Sequence, residues 1–213
     1  MNVNEIRDQD PIDTEEELRQ LIGYPSELAS RKTIHSIDRH CADFISRSPF
    51  LVISSSDRLG RCDASPRGDQ PGFVLIQDEH RLIIPERPGN KRIDTLRNIL
   101  MNPYVGLLFL IPGLGETLRI NGRASLMKQA ELLEQLAVNG RKPLLAISVE
   151  VEECFIHCAK AFIRSGLWEP GSWSDKAALP SASRIIADHA DLPGTDAEAI
   201  ARRLEEGYSQ RLY

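Results

Sequence analysis

Arg87, Lys91 and Arg92 crowd one turn of the stretch PERPGNKRIDTLRNILMNP, residues 85–103, with Pro88, Gly89 and Asn90 between them. Beyond the turn, Ile93, Leu96, Ile99 and Leu100 recur at helical spacing, which predicts a helix beginning near Asn90. A helix start offers unsatisfied backbone N–H groups and the positive end of the helix dipole. Basic side chains oppose that dipole at a cost of about 0.3–1 kcal/mol each. Two readings stand: a solvated basic turn, or a site for a phosphate, with Pro85, Arg87, Asn90, Lys91 and Arg92 as its residues.

Two further stretches carry chemistry-bearing residues. In HCAKAFIRSGLW, helical spacing would place His157, Lys160 and Arg164 on one face, opposite Phe155, Ile156, Ala159 and Ile163, with Trp168 following. Such a face is either solvated or a grip for a phosphate or ribityl chain beside a flat ring. In DASPRGD, the small residues Ala64, Ser65 and Gly68 lie among Asp63, Pro66 and Arg67 where a β-branched strand is expected. Close approach of a ligand ring, a bulge, or an edge protected by Pro66 would each explain it.

The elements that must carry these residues are mainly β. Thr14 and Glu17 form a capping-box pattern ahead of a short helix, and apolar spacing predicts a second helix over Ser26 to Ser46. From Phe50 onward, short strands alternate with turns: FLVISSS, RCDASPRGD, GFVLIQ, RLIIPE, YVGLLFLI, TLRINGRASL and PLLAISVEVEEC, with a glycine break at Gly122 and a helix over Lys128 to Val138. Six or so antiparallel strands predict an α+β fold built on a small closed or split barrel, with flanking helices at both termini. The expected division is an N-terminal helical segment (1–48), the barrel (49–168), then a Gly/Pro/Ser-rich linker and helical tail (169–213). In the tail, Thr195 with Glu198 and Ile185 with Ile186 mark helices.

Composition narrows the function classes. The chain has 213 residues, with 26 basic against 31 acidic side chains and a net charge of -5. That balance argues against a general nucleic-acid surface and asks for a small anionic ligand at the basic clusters. No apolar run approaches the roughly 20 residues of a membrane span, and the acidic N-terminus lacks a signal-peptide pattern, so a cytoplasmic protein is expected. Cys41, Cys62, Cys154 and Cys158 show no CxxC spacing, so no metal is expected. Cys154 and Cys158, one helical turn apart, read as buried helix residues rather than ligands.

Taken together, SPRGD, RPGNKRIDTLRNI, VGLLFLIPG, ETLRINGRA and CAKA, with LW at residues 167–168, resemble the pyridoxamine 5'-phosphate oxidase-like family of FMN-binding split barrels over about Phe50 to Trp168. The resemblance implies a homodimer with two FMN sites at the subunit interface. It implies that Asp63 to Gly68 lie along the flavin, with Arg67 the main side-chain contributor, and that Pro85, Arg87, Asn90, Lys91 and Arg92 bind the FMN phosphate. Thr117 stands where the family places an amide side chain. His157, Lys160, Arg164 and Trp168 correspond to a contribution to the partner's flavin. The expected activity is a flavin-dependent oxidoreductase reduced by a small molecule such as NADH or NADPH; the alternatives are a non-catalytic FMN carrier or sensor and, third, a haem-binding barrel using His35 or His157. The family's Arg- and Pro-rich ending has no match in EGYSQRLY, so vitamin B6 oxidation is not expected.

Overall fold

In the computed structural model of the protein, residues 11–213 are described; the first ten residues of the expected 1–48 segment lie outside the described residues. The chain divides into two units after Thr33. The described part of the first holds α1 (Glu15–Ile22) and α2 (Glu27–Arg31). Thr14 Oγ1 accepts from the Glu17 amide at 3.2 Å and Ser26 Oγ from the Ala29 amide at 3.2 Å, each satisfying an orphan donor at a helix start. Neither helix buries a residue.

The helix predicted over Ser26 to Ser46 is two helices. After α2 the chain runs extended through Ile34, whose amide donates to the Cys154 carbonyl at 3.0 Å and whose carbonyl accepts from the Cys154 amide at 2.8 Å. It restarts at α3 (Arg39–Arg47), where the Asp38 carboxylate caps the Cys41 and His40 amides at 2.8 and 3.0 Å. That bridge to a distant strand, not local propensity, overrides the helical spacing.

Seven strands follow: β1 (Phe50–Ser56), β2 (Cys62–Gly68), β3 (Leu75–Asp78), β4 (Arg81–Pro85), β5 (Tyr104–Leu110), β6 (Thr117–Met127) and β7 (Ala146–His157). They form one antiparallel sheet in the spatial order β2-β1-β5-β6-β7-β4-β3. The sheet is split rather than closed, since β2 and β3 are its two edges. Alternation along β1 and β5 buries Leu51, Ile53, Val105, Leu107 and Phe109, each fully buried large side chain being worth about 1.5–3 kcal/mol. β4 is buried on both faces: Leu82 and Ile84 join the main core, while Ile83 packs with Leu133 and Leu136 at α5 (Ala130–Gln135), a shorter helix than the predicted 128–138. In β6 the register slips between Asn121 and Gly122, and a Cβ at Gly122 would run into the Glu150 carbonyl of β7.

Three local expectations change. Cys154 lies in β7, not on a helix; its thiol faces Cys41 Sγ at 3.1 Å, and Cys158 is exposed beyond the strand. His157 is the last residue of β7 rather than part of a helix with Lys160 and Arg164, which belong to α6 (Lys160–Ser165). Twelve continuous strand residues, paired along β6, carry the backbone past the point where helical spacing looked plausible. Further on, α7 (Ala182–Ala190) and α8 (Ala197–Gln210) pack on each other, and the cap of α8 is Asp196 rather than Thr195. Between Asp94 and Met101 lies α4, which packs on β1, β2 and β6. Among the described residues no helix is long and apolar enough to cross a membrane.

Candidate functional site

A cleft of about 640 Å³ opens where the sheet is split, between edge strand β2 and the turn that leaves β4. β2 has no buried residue: Asp63, Ser65 and Arg67 alternate half-buried on one side, while Ala64, Pro66 and Gly68 are exposed. Pro66 has no N–H to donate to a ladder, which an edge strand tolerates. Thr95 Oγ1 and Ser65 Oγ both donate to Asp63 Oδ2, at 2.7 and 2.9 Å, and so pin the start of α4 to β2. Asn98 Nδ2 on α4 donates to Ser55 Oγ of β1 at 3.0 Å.

The turn from Glu86 to Ile93 is strained where it meets α4. The helix begins at Asp94, later than predicted, because Asn90 Oδ1 accepts from the Arg92 amide at 3.0 Å and both Lys91 (φ 63°) and Ile93 (φ 56°) are left-handed. A β-branched residue resists that conformation, and backbone strain of this kind clusters at functional sites. Ile93 is also the cap residue of α4 and supplies no side-chain hydrogen bond to the first amides. Asp94, Thr95 and Leu96, the first residues of the helix at the positive end of its dipole, line the cleft.

The charges are more balanced than the basic turn suggests. Arg67 Nε meets Glu86 Oε2 at 3.0 Å, and Arg87 Nε meets Asp69 Oδ2 at 2.8 Å, the Asp69 side chain being 2% exposed. Arg92 pairs with Asp94 at 2.8 Å but remains three-quarters exposed. Burial pushes the Glu86 carboxyl above its ordinary range, against the pull of Arg67. Burial acts on Asp69 in the same sense, yet hydrogen bonds from Tyr213, the Gln70 amide and Arg87 outweigh it and hold the carboxyl low.

The cleft has a component that no sequence pattern announces. Leu212 and Tyr213 return to its wall. The Tyr213 hydroxyl donates to Asp69 Oδ1 at 2.8 Å, the Arg87 guanidinium lies 5.6 Å from the ring centroid, and Arg141 Nη1 donates to the Tyr213 backbone oxygen at 2.8 Å. Asp69 and Glu86 adjoin the basic motifs in SPRGD and PERPGN, so their acidity was the available signal; for Tyr213 there was none.

Of the predicted site residues, the structure brings Ser65, Pro66, Arg67, Gly68, Pro85, Arg87, Asn90 and Arg92 to this one cleft. Asp63 lies on an adjoining polar cleft of about 430 Å³ that also reaches Arg92 and Asp94. Ala64 is exposed and does not line the cleft, and Lys91 lines a smaller cavity on the same turn, which shares Glu86 to Asn90, Ile93, Leu96 and Tyr213 with the cleft. Thr117 is buried at the start of β6 opposite His157, away from the cleft. Lys160 and Arg164 are exposed on α6, and Trp168 stacks on Phe162 with its Nε1 donating to the Leu114 carbonyl at 2.9 Å.

The sequence model of the family described as pyridoxamine 5'-phosphate oxidase matches residues 37–158, more than half of the chain. No curated protein matches the sequence. Similar solved structures include HupZ from Group A Streptococcus, at 21% identity and TM-score 0.45 over 56% of this chain and 93% of that one. An FMN-binding protein from Syntrophomonas wolfei aligns at 11% identity and TM-score 0.45 over 57% and 89%. A general stress protein 26-related protein from Clostridium acetobutylicum aligns at 12% identity and TM-score 0.43 over 55% and 85%.

Proposed function

The chain belongs to the pyridoxamine 5'-phosphate oxidase family, and on that premise we propose that it holds FMN in the 640 Å³ cleft and acts as an FMN-dependent oxidoreductase reduced by NADH or NADPH. The observation that supports this most directly is the start of α4. Its first amides lack a side-chain cap, its first residues line the cleft, and Arg92, which also lines the cleft, remains largely exposed, a combination suited to a phosphate. The cleft lies within the ~300–1,000 Å³ range of small-molecule sites. Along β2, the small residues leave room for a flat ring, with the Ser65 hydroxyl and Arg67 at its edge.

FMN supplies the hydride chemistry; the protein's part is binding, orientation and electrostatics. In this reading Arg92, Asn90 and the α4 amides take the phosphate. Arg67 and Arg87 hold the wall in shape through Glu86 and Asp69. Lys160, Arg164 and Trp168, outside the cleft, serve the partner's flavin in a homodimer. Their support is the exposure of the two cations on α6 and the fixed indole of Trp168, stacked on Phe162 of the same helix.

Titration of flavin-free protein with FMN and riboflavin tests the cofactor. The expected result is FMN bound at least tenfold more tightly, with Arg92→Ala removing most of that preference and leaving riboflavin unchanged; equal affinities would overturn the phosphate assignment. Anaerobic mixing of the loaded protein with NADH or NADPH then tests the activity. Bleaching of the flavin band supports an oxidoreductase, and an unreduced band with either nicotinamide overturns it in favour of a carrier.

A further inference from the structure

Two buried thiols take no part in the cleft. Cys41 is the third residue of α3 and 6% exposed, whereas Cys154 lies within β7 and is fully buried. Cys154 Sγ donates to Cys41 Sγ at 3.1 Å across 113 positions of sequence, and a disulfide needs about 2.05 Å. Two sulfurs that already face each other are thus about 1 Å from bonding distance.

The fold holds them there from several directions. β4 pairs with β7 only as far as Glu150, and beyond it Ile34 takes up both the amide and the carbonyl of Cys154, which lies opposite Ile120 of β6 on its other side. The Ile37 amide donates to the Glu79 carbonyl at 2.7 Å, and Asp38 then caps α3. Residues 34–41 are therefore fixed at three points, which keeps the Cys41 side chain facing its partner.

The pair is chemically asymmetric. The hydrogen bond from Cys154 pulls the Cys41 thiol below its ordinary range, against burial and the Asp38 carboxylate, and the first turn of α3 adds the positive end of a helix dipole. The same hydrogen bond, with burial, pushes Cys154 up. Cys41 is the sulfur with thiolate character, and it is also the one a small molecule can reach.

We propose that Cys41 and Cys154 form an oxidative modification site, a dithiol that hydrogen peroxide converts to a disulfide joining α3 to β7. The Cys41 thiolate attacks one peroxide oxygen, the O–O bond breaks, and the other oxygen leaves as water with the Cys41 proton, so that Cys41 becomes a sulfenic acid. The Cys154 sulfur then attacks the Cys41 sulfur, the S–O bond breaks, and hydroxide leaves with the Cys154 proton as a second water. Two thiols lose two electrons and two protons, and the peroxide is reduced to two waters.

The test uses the full chain carrying Cys62→Ser and Cys158→Ser, two exposed positions, so that only the buried pair can react. One equivalent of peroxide should yield folded protein lighter by two hydrogen atoms, with the tryptic peptides 40–47 and 142–160 joined until dithiothreitol parts them. The Tm should rise by at least about 5 °C and fall back on reduction. Thiols that stay free while glutathione in the same tube is oxidised, a gain of oxygen with no link, or a link that forms only after unfolding in urea would each overturn the proposal. A link that leaves the Tm unaltered or lower would overturn it as well, by showing that the bond distorts the fold. Adding Cys154→Ala should leave a sulfenic acid on Cys41 that dimedone traps, while adding Cys41→Ala should leave Cys154 unlabelled; the reverse labelling would overturn the order of attack. Should either alanine variant fail to fold, the mass and the linked peptides of the pair still decide.

Discussion

The Tyr213 hydroxyl and the Asp69 carboxylate meet at 2.8 Å across 144 positions of sequence, and the same carboxylate holds Arg87 on its other oxygen. This contact anchors the tail to the cleft. Tyr213→Phe removes a hydrogen bond to a charged group while keeping the ring over Arg87. Trypsin cleavage after the exposed Arg211 should then accelerate about tenfold, since cleavage follows the population of the detached tail. An unchanged cleavage rate would show that the ring and backbone contacts hold the tail by themselves.

The same contact sets a pH window. Asp69 is held below its ordinary range once the hydrogen bonds outweigh burial, so its contribution is full above the unfolded value near 3.9 and is lost as pH falls through the folded one. Tyr213 moves the other way. Its hydrogen bond to Asp69 raises the phenol, whose contribution is full below the unfolded value near 10 and is lost as pH rises through the folded one. Ultraviolet titration should show one tyrosinate ionising late in the wild-type protein and returning to ordinary behaviour in Asp69→Asn.

Asp38 makes an independent acid-sensitive contact. Its carboxyl is lowered chiefly by the Cys41 amide at the start of α3, so this cap is present above about pH 3.9 and fades as pH falls through the folded value. Asp38→Ala should cost about 1 kcal/mol, a fall in Tm of about 2–4 °C for a chain of this size. Asp38→Asn, which keeps the acceptor oxygen, should melt close to the wild type and lose its dependence on pH near 4.

Gly122→Ala should be among the most damaging single-atom additions in the sheet. The new methyl group would meet the backbone carbonyl of Glu150 inside the β6 to β7 ladder, where neither strand can give way without breaking pairs. Thermal unfolding should fall by more than 10 °C, or the protein should be recovered only as aggregate. A variant that melts like the wild type would mean that the bulge can migrate along β6.

The strands were legible because their alternation is written locally. Leu51 and Ile53, or Val105, Leu107 and Phe109, betray a buried face whatever the partner strand. The motifs of β2 and the basic turn were legible for the same reason, and they do meet in one cleft. What stayed hidden were matters of distance and of conformation. The break between α2 and α3 depends on Ile34 finding Cys154, and the late start of α4 on two left-handed residues, neither of them glycine. The ion pairs of Arg67 and Arg87 needed Glu86 and Asp69 to be folded beside them. Tyr213 lies in no motif, and only the folded chain shows what it touches.

The strand order also dictates a sequence of assembly. The hairpin of β3 and β4, which carries the strained turn, joins the remainder of the sheet only through β7, with Leu82 opposite Val149. A chain growing on the ribosome can pair β2, β1, β5 and β6 as soon as β6 has emerged. The hairpin then has no strand to pair with in the rest of the sheet until residues 146–157 follow, and only side-chain pairs such as Arg67 with Glu86 can link it to β2. One wall of the cleft is therefore secured long after its own residues have been synthesised, and Tyr213 comes later still. The cleft cannot take its folded shape before that final strand, and a ribosome stalled between β6 and β7 would hold a four-stranded sheet whose β6 edge is bare.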